Sequence, residues 1–244
     1  MSRLGAVRIG TSGWHYKHWR GAFYPEDLPI RKWFEYYSRH FDTVEINNSF
    51  YRLPSEATFD AWRETSPADF CYAVKASRYL THMKKLKDPQ TGIANFLPRA
   101  ERLGGKLGPV LFQLPPFWEV DVARLEQFLT ALPGGHEYTF ELRNPTWFVP
   151  EVYEILRRHN AAFCIYELAG FHSELQVTAD FAYVRLHGPE GKYQGSYHQS
   201  VLDTWSARIR EWRQELRAIY VYFDNDQAAH AVRNARTLKD SLTP

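Results

Sequence analysis

Six ionisable side chains, Glu45, Lys75, Glu141, Arg143, Arg185 and His187, each lie near the C-terminal end of a short apolar run, and that placement is the main chemical signal of the chain. Two glutamates can divide acid and base roles if their environments separate their pKa values, although sequence does not give the carboxylate spacing that distinguishes glycosidase geometries. Lys75 as a Schiff-base nucleophile needs a depressed pKa, whereas a lysine that clamps an anion needs none, so the electrostatic role is favoured. His187 suits general acid or base work. Together with an eighth-strand aspartate, Glu45, Glu141 and His187 would also form an oxygen-rich set for a divalent metal. Cations beside such a set oppose a bound ion, so no metal and no cofactor is expected, and the divalent metal is the weaker alternative. Three permanent cations against two carboxylates leave a positive balance that matches phosphate or carboxylate, the anions that arginine's fork recognises.

The elements that must position these groups are eight apolar runs: VRIGTSGW from Val7, TVEINNSF from Thr43, FCYAVKAS from Phe70, VLFQLPP from Val110, YTFELR from Tyr138, AFCIYEL from Ala162, FAYVRLHG from Phe181 and IYVYFDND from Ile219. Helix-like stretches separate most of them. Arg31 to His40 carries aromatics at helical spacing; Ser55 caps ATFDAWRE; Asp121 caps VARLEQFLTAL; Pro150 opens EVYEILRRHN. Amphipathic helices are expected from about Val201 to Leu216 and from about Ala228 to Leu242. After the sixth strand, LAGFHSELQVTAD is too poorly periodic for a helix, so an irregular connection is expected there. The alternation reads as an α/β fold, a (β/α)8 TIM-type barrel, in which catalytic groups occupy the C-terminal rim. With 244 residues, close to the roughly 250 this fold uses, and no linker or repeat, the chain is expected to form a single domain over residues 1–244.

Side chains alternate between barrel interior and helix layer along each strand, which sorts the candidates. Val44 and Ile46 belong under helices, so Glu45 and Asn47 point inward; the same test turns Lys75, Gln113, Glu141, Arg143, Arg185 and His187 inward. In the first run Val7 and Ile9 face out, leaving Gly10, Ser12 and Trp14 inside. The eighth run is apolar on both parities, and Asn225 is preferred, with Asp224 and Asp226 as alternatives. The resulting expectation assigns catalytic roles to Glu45, Lys75, Glu141 and His187, and substrate binding to Ser12, Trp14, Asn47, Gln113, Arg143, Arg185, Tyr193 and Asn225. A purely structural charge network filling the top layer of the barrel is the competing account.

Composition narrows the field. Hydrophobic residues at 44% support a large core, and 30 Lys+Arg against 28 Asp+Glu give a formal charge of only +2, so net charge offers no argument for nucleic acid. No apolar run reaches a membrane span and the N-terminus lacks a signal-peptide pattern, so a cytoplasmic protein without membrane contact is expected. Cys71 and Cys164 fall within strands and read as buried thiols. His15 and His18 read as a surface pair, and no phosphate-binding or dinucleotide-binding glycine motif is present.

Loops at the same strand ends add a second theme. GWHYKHWRGAFYP mixes Trp14, Tyr16, Trp19, Phe23 and Tyr24 with basic residues, and SRYLTHMKKLKDP carries Arg78, Lys84, Lys85 and Lys87. Aromatic and basic side chains together suit single-stranded nucleic acid, while packing of the aromatics over the barrel mouth is an equal alternative. GPEGKYQGSYHQS, with exposed Tyr193 and Tyr197 expected, reads as a mobile lid.

The segments GTSGW, FYP, TVEINNSFYRLP, FCYAVKASRYLTHMKKL, LGPVLFQLPP, FELRNPTW, YVRLHGP and IYVYFDND, in this order, resemble the successive signatures of the YecE-like family, domain of unknown function 72. The resemblance implies a (β/α)8-type barrel. It points to the Gly10 to Trp14 turn, Glu45, Asn47, Lys75, Gln113, Glu141, Arg143, Arg185, His187 and Asn225 as matched positions, and it implies no established reaction. The chain departs from the family pattern at Asn144-Pro145, where His commonly follows the Arg, and at Asp224, where Asn is usual. The leading expectation is an enzyme for a small anionic, phosphorylated or carboxylated and sugar-like substrate, its reaction class undetermined. A nucleic-acid binder or phosphodiesterase, by analogy with barrel endonucleases, is the alternative, and a non-catalytic ligand-binding scaffold the third reading. The oligomeric state is left open.

Overall fold

The computed structural model describes residues 4–243. Its strands are β1 (Ala6–Thr11), β2 (Thr43–Ile46), β3 (Cys71–Lys75), β4 (Leu107–Gln113), β5 (Tyr138–Glu141), β6 (Ala162–Leu168), a two-residue β7 (Phe171–His172), β8 (Phe181–Leu186) and β9 (Ala218–Phe223). The sheet runs β1-β9-β8-β6-β5-β4-β3-β2, and an isolated parallel bridge between Ser12 and Glu45 links the first and last of these strands. The short β7 lies antiparallel on β6, so the seventh and eighth apolar runs of the sequence are β8 and β9. Helices α1 (Trp33–Tyr37), α2 (Asn48–Tyr51), α3 (Glu56–Thr65), α4 (Pro89–Ala100), α5 (Val122–Ala131), α6 (Pro150–Arg158), α7 (Gln199–Trp212) and α8 (His230–Leu242) fill most of the crossovers. Eight parallel strands with helical returns make this the (β/α)8 fold that the alternation predicts.

Two compact units divide the described chain: residues 4–45, 165–175 and 180–243 in the first, residues 46–164 and 176–179 in the second. In the first unit β9 is buried on both faces, as a parallel strand covered by helices must be. Val232, Ala235 and Leu238 form the buried stripe of α8. Val232 and Leu238 each contribute about 1.5–3 kcal/mol if fully withdrawn from water, and Ala235 less. Gly10 has no room for a side chain, because a Cβ there would sit 2.4 Å from the Thr43 carbonyl oxygen.

In the second unit the predicted caps form. The Ser55 hydroxyl accepts from the Thr58 amide at 3.3 Å and Asp121 accepts from the Arg124 amide at 3.1 Å. Two expectations are corrected by length: the segment from Arg31 is helical only from Ile30 to Tyr37, and the last helix starts at His230 because Ala228 and Ala229 take left-handed backbone conformations. Helix α4 lies where the sequence suggests no element. Gly92 and Pro98 interrupt its pattern, and burial of Ile93, Phe96, Leu97 and Ala100 holds it in place. Cys164 is buried as expected, whereas Cys71 is only partly so. The connection after β6 is the β7 hairpin followed by irregular chain.

Candidate functional site

Alternation along β8 puts Tyr183, Arg185 and, just past its end, His187 on one face, and the first unit builds a polar cluster on them. The Glu45 carboxylate, wholly buried, accepts from the Ser12 hydroxyl at 2.8 Å, the Tyr183 hydroxyl at 2.5 Å and the Arg185 guanidinium at 2.6 Å. The same guanidinium nitrogen reaches Asp224 at 3.3 Å, and His187 Nδ1 lies 2.9 Å from the same Asp224 oxygen. An ionised carboxylate only accepts, so the His187 proton sits on Nδ1 and the lone pair on Nε2 is left toward Arg185 Nη1, 3.4 Å away. Burial, then the Glu45 charge, push the Tyr183 phenol far up, which keeps it a proton donor. Tyr16 is raised by burial and by Asp224, Asp226 and Glu45 in turn, and it donates to the Ser12 carbonyl at 2.5 Å.

Asp224 rather than Asn225 is the eighth-strand member of this cluster. Tyr220 and Tyr222 pack on Tyr183 at 6.2 and 5.3 Å, and the Tyr222 hydroxyl meets Thr43 at 2.7 Å, so their parity faces the barrel interior. Asn225 takes the opposite parity with Phe223 and donates to the Gly195 carbonyl and to Asn234 of α8. It therefore ties the following loop to the helix layer. The correction alters the charge balance: in the first unit Arg185 faces two carboxylates, and no cation excess exists there.

Tyr193 covers this cluster. Its ring lies 5.9 Å from the His187 ring and its amide donates to the His187 carbonyl at 2.7 Å. Gly188, with φ +112°, lets the loop fold back, since a Cβ there would meet the Gln194 carbonyl oxygen at 2.2 Å. A 440 Å³ cleft is lined by Tyr193, Lys192, His18, Asp226, Gln227 and Ala228. Burial and the Asp224 charge raise Asp226, whose carboxylate lies 3.2 Å from His18. Expected exposure at Tyr197 is corrected: it is buried, and its hydroxyl accepts from the Gly188 amide at 3.0 Å. Trp14 lies against Phe34 at 5.3 Å rather than among these polar groups. Trp19, Phe23 and Tyr24 are buried, with Tyr24 stacked on Trp33 at 4.6 Å, so most of the first-loop aromatics are core. His15 and His18 are both exposed, His15 beside Trp33.

The second unit holds the remaining candidates. Lys75, only 8% exposed, ends β3 with its ammonium 4.4 Å over the Phe50 ring, while the Ser49 hydroxyl holds its carbonyl at 2.6 Å. The β4–β5 register pairs Gln113 with Glu141, whose wholly buried carboxylate accepts from Arg143 Nε. Asn47 precedes α2 and its Oδ1 is buried with no hydrogen-bond partner among the described residues. His82, singled out by no sequence pattern, is held down at about 4 by burial and by Lys75, Arg78 and Arg143. Burial is the larger cause of this lowering, and the three cations add to it. Asn144, where the family pattern has His, accepts from the Thr146 amide at 3.0 Å and so caps the turn Pro145–Trp147.

The sequence offered Asp224 only as an alternative and missed Tyr183 and His82. Tyr183 carried a usable signal, since it shares parity with Arg185; His82 carried none. Among the described residues no group of three or more His, Cys, Asp or Glu side chains is arranged to hold a metal ion. None of the described helices is long and apolar enough to cross a membrane.

The family model described as "Protein of unknown function DUF72" matches residues 8–244. The UPF0759 protein YunF of Bacillus subtilis is 26% identical over 97% of this chain and 94% of its own length. The UPF0759 protein YecE of Escherichia coli K12 is 34% identical over 58% of this chain and 50% of its own. Among solved structures, a DUF72 family protein of Thermotoga maritima superposes with a TM-score of 0.88 at 30% identity, covering 97% of this chain and 99% of that one. A second, from Enterococcus faecalis, gives 0.81 at 18% identity, 97% and 95% covered, a likeness of fold. With the family model spanning nearly its whole length, this chain belongs to the DUF72 family.

Proposed function

We propose that this protein is an enzyme acting on a small anionic substrate, phosphorylated or carboxylated, at the C-terminal ends of its barrel strands. The observation that carries the reading is the gathering of Lys75, Arg78 and Arg143 around His82, with Glu141 the carboxylate seen on Arg143. Lys75 and Arg143, largely withdrawn from water, attract an anion strongly because little screening intervenes, while the exposed Arg78 adds a weaker, screened pull. Within the first unit, taken by itself, His187 is the candidate for proton transfer. Asp224 fixes its tautomer through Nδ1, and the Nε2 lone pair faces Arg185 Nη1 at 3.4 Å, so the guanidinium must move aside before that atom exchanges a proton with a substrate. Glu45 and Arg185 hold that assembly in place. Tyr193 must swing off His187 before a substrate reaches the ring, a gating role for the glycine-bounded loop.

The test is an NMR titration of His82 with inorganic phosphate as the probe. Bound anion cancels the cationic field, so the His82 pKa rises from about 4 toward its ordinary value of about 6.5. The response is lost in Lys75→Met. A His82 titration unmoved by millimolar phosphate would refute anion binding at these residues.

A further inference from the structure

In the connection that follows the C-terminal end of β2, the second unit carries a 610 Å³ groove lined by Tyr51, Arg52, Leu53, Ser55, Thr58 and Arg99. Apart from Ser55, which caps α3, its polar side chains have little structural role. Arg52 is exposed and Arg99 partly so, and neither has an ion-pair or hydrogen-bond partner among the described residues. Arginines of the same unit outside the groove are mostly engaged: Arg102 makes a forked contact with Asp60, and Arg157 pairs with Glu154. Tyr51 is 74% exposed, its ring perpendicular to Phe50 at 5.0 Å and 88°, so much of the ring surface is open to solvent. Ser55 and Thr58, 3.0 Å apart, present two hydroxyls at the first turn of α3. Glu56, the acidic residue of that turn, acts on Arg102, which places its charge toward the Asp60–Arg102 side of the helix.

From this set we infer that the groove binds a small phosphate ester carrying a flat ring. Arg52 and Arg99 supply charge-assisted hydrogen bonds to phosphate oxygens, the Ser55–Thr58 hydroxyl pair, bonded to each other, adds one neutral donor, and the α3 amide dipole favours the same negative charge. Tyr51 offers a face on which a ring stacks, with Leu53 as apolar floor. The site lies in the α2–α3 connection and uses none of the residues assigned to the substrate above.

Adenosine monophosphate, inorganic phosphate and adenosine are the three probes, read by calorimetry and by amide shifts at Ser55 and Thr58. The monophosphate binds, phosphate alone binds more weakly, and adenosine alone weakest. Arg52→Ala and Arg99→Ala each weaken the monophosphate about tenfold, the loss expected of one charge-assisted contact. Tyr51→Ala weakens the monophosphate and leaves phosphate unchanged. Lys75→Met changes none of these affinities, which separates this site from the strand-end anion site. Equal affinity for monophosphate and phosphate, arginine variants that bind as the parent does, or loss of monophosphate binding in Lys75→Met would each overturn the assignment. All three groove substitutions are at surface positions, so thermal melts matching the parent confirm that a loss is not unfolding.

Discussion

Arg185→Met tests whether the first-unit cluster is held by its ion pairs. The guanidinium is 1% exposed and bridges Glu45, wholly buried, and Asp224, 8% exposed, so its removal strands two carboxylates in a dry environment. Breaking a buried pair costs about 3–5 kcal/mol. Glu45 keeps its bonds from Ser12 and Tyr183, which offsets part of the loss and points to about 3 kcal/mol. At about 2–4 °C per kcal/mol for a chain of this size, the melting temperature falls by roughly 6–12 °C. Methionine retains most of the stem's packing, so the deficit is electrostatic. Glu45→Gln in the same chain removes one stranded charge, while its single amide oxygen still accepts from either Ser12 or Tyr183, which donate to different carboxylate oxygens. The double variant is then more stable than additivity predicts by at least about 1 kcal/mol. Urea unfolding of the parent, both single variants and the double variant measures this. A single-variant loss below about 1 kcal/mol, or strict additivity, would show that the cluster is not organised around Arg185.

Three further outcomes follow from the geometry. His82 titrates near 4 in the folded chain and near 6.5 unfolded, so the unfolded state takes up its proton first as pH falls; stability is full above about 6.5, declines toward 4 and is flat below. Partial solvent exposure screens this contribution to about 1 kcal/mol, and His82→Gln flattens that part of a stability–pH curve. Gly10→Ala forces a Cβ to 2.4 Å from the Thr43 carbonyl and should cost about 1–3 kcal/mol, whereas a parent-like melt would contradict the close approach. Lys84 already pairs with Asp88 at 3.5 Å, so the basic third loop should bind single-stranded nucleic acid only weakly, with affinity falling steeply as salt rises. Tight binding at physiological salt that disappears when Lys84, Lys85 and Lys87 become alanine would instead favour the nucleic-acid reading.

What the sequence determined is local. Alternation along β2, β3, β5 and β8 turned Glu45, Lys75, Glu141, Arg185 and His187 inward before any partner was known, because a strand with one aliphatic parity has only one face to give to the helices. Capping residues likewise marked α3 and α5, since a side chain and an amide three residues apart meet within one turn. Tertiary structure decided the rest. In β9 both parities are apolar, so the choice between Asp224 and Asn225 had no local basis; Tyr183, Thr43 and Tyr197 settled it by packing. Buried contacts also held α4 against Gly92 and Pro98, and turned Trp19, Phe23 and Tyr24 into core. Arg185 meets Glu45 across 140 residues of chain, and a pairing at that separation is set by the fold of the whole unit rather than by any period in the sequence.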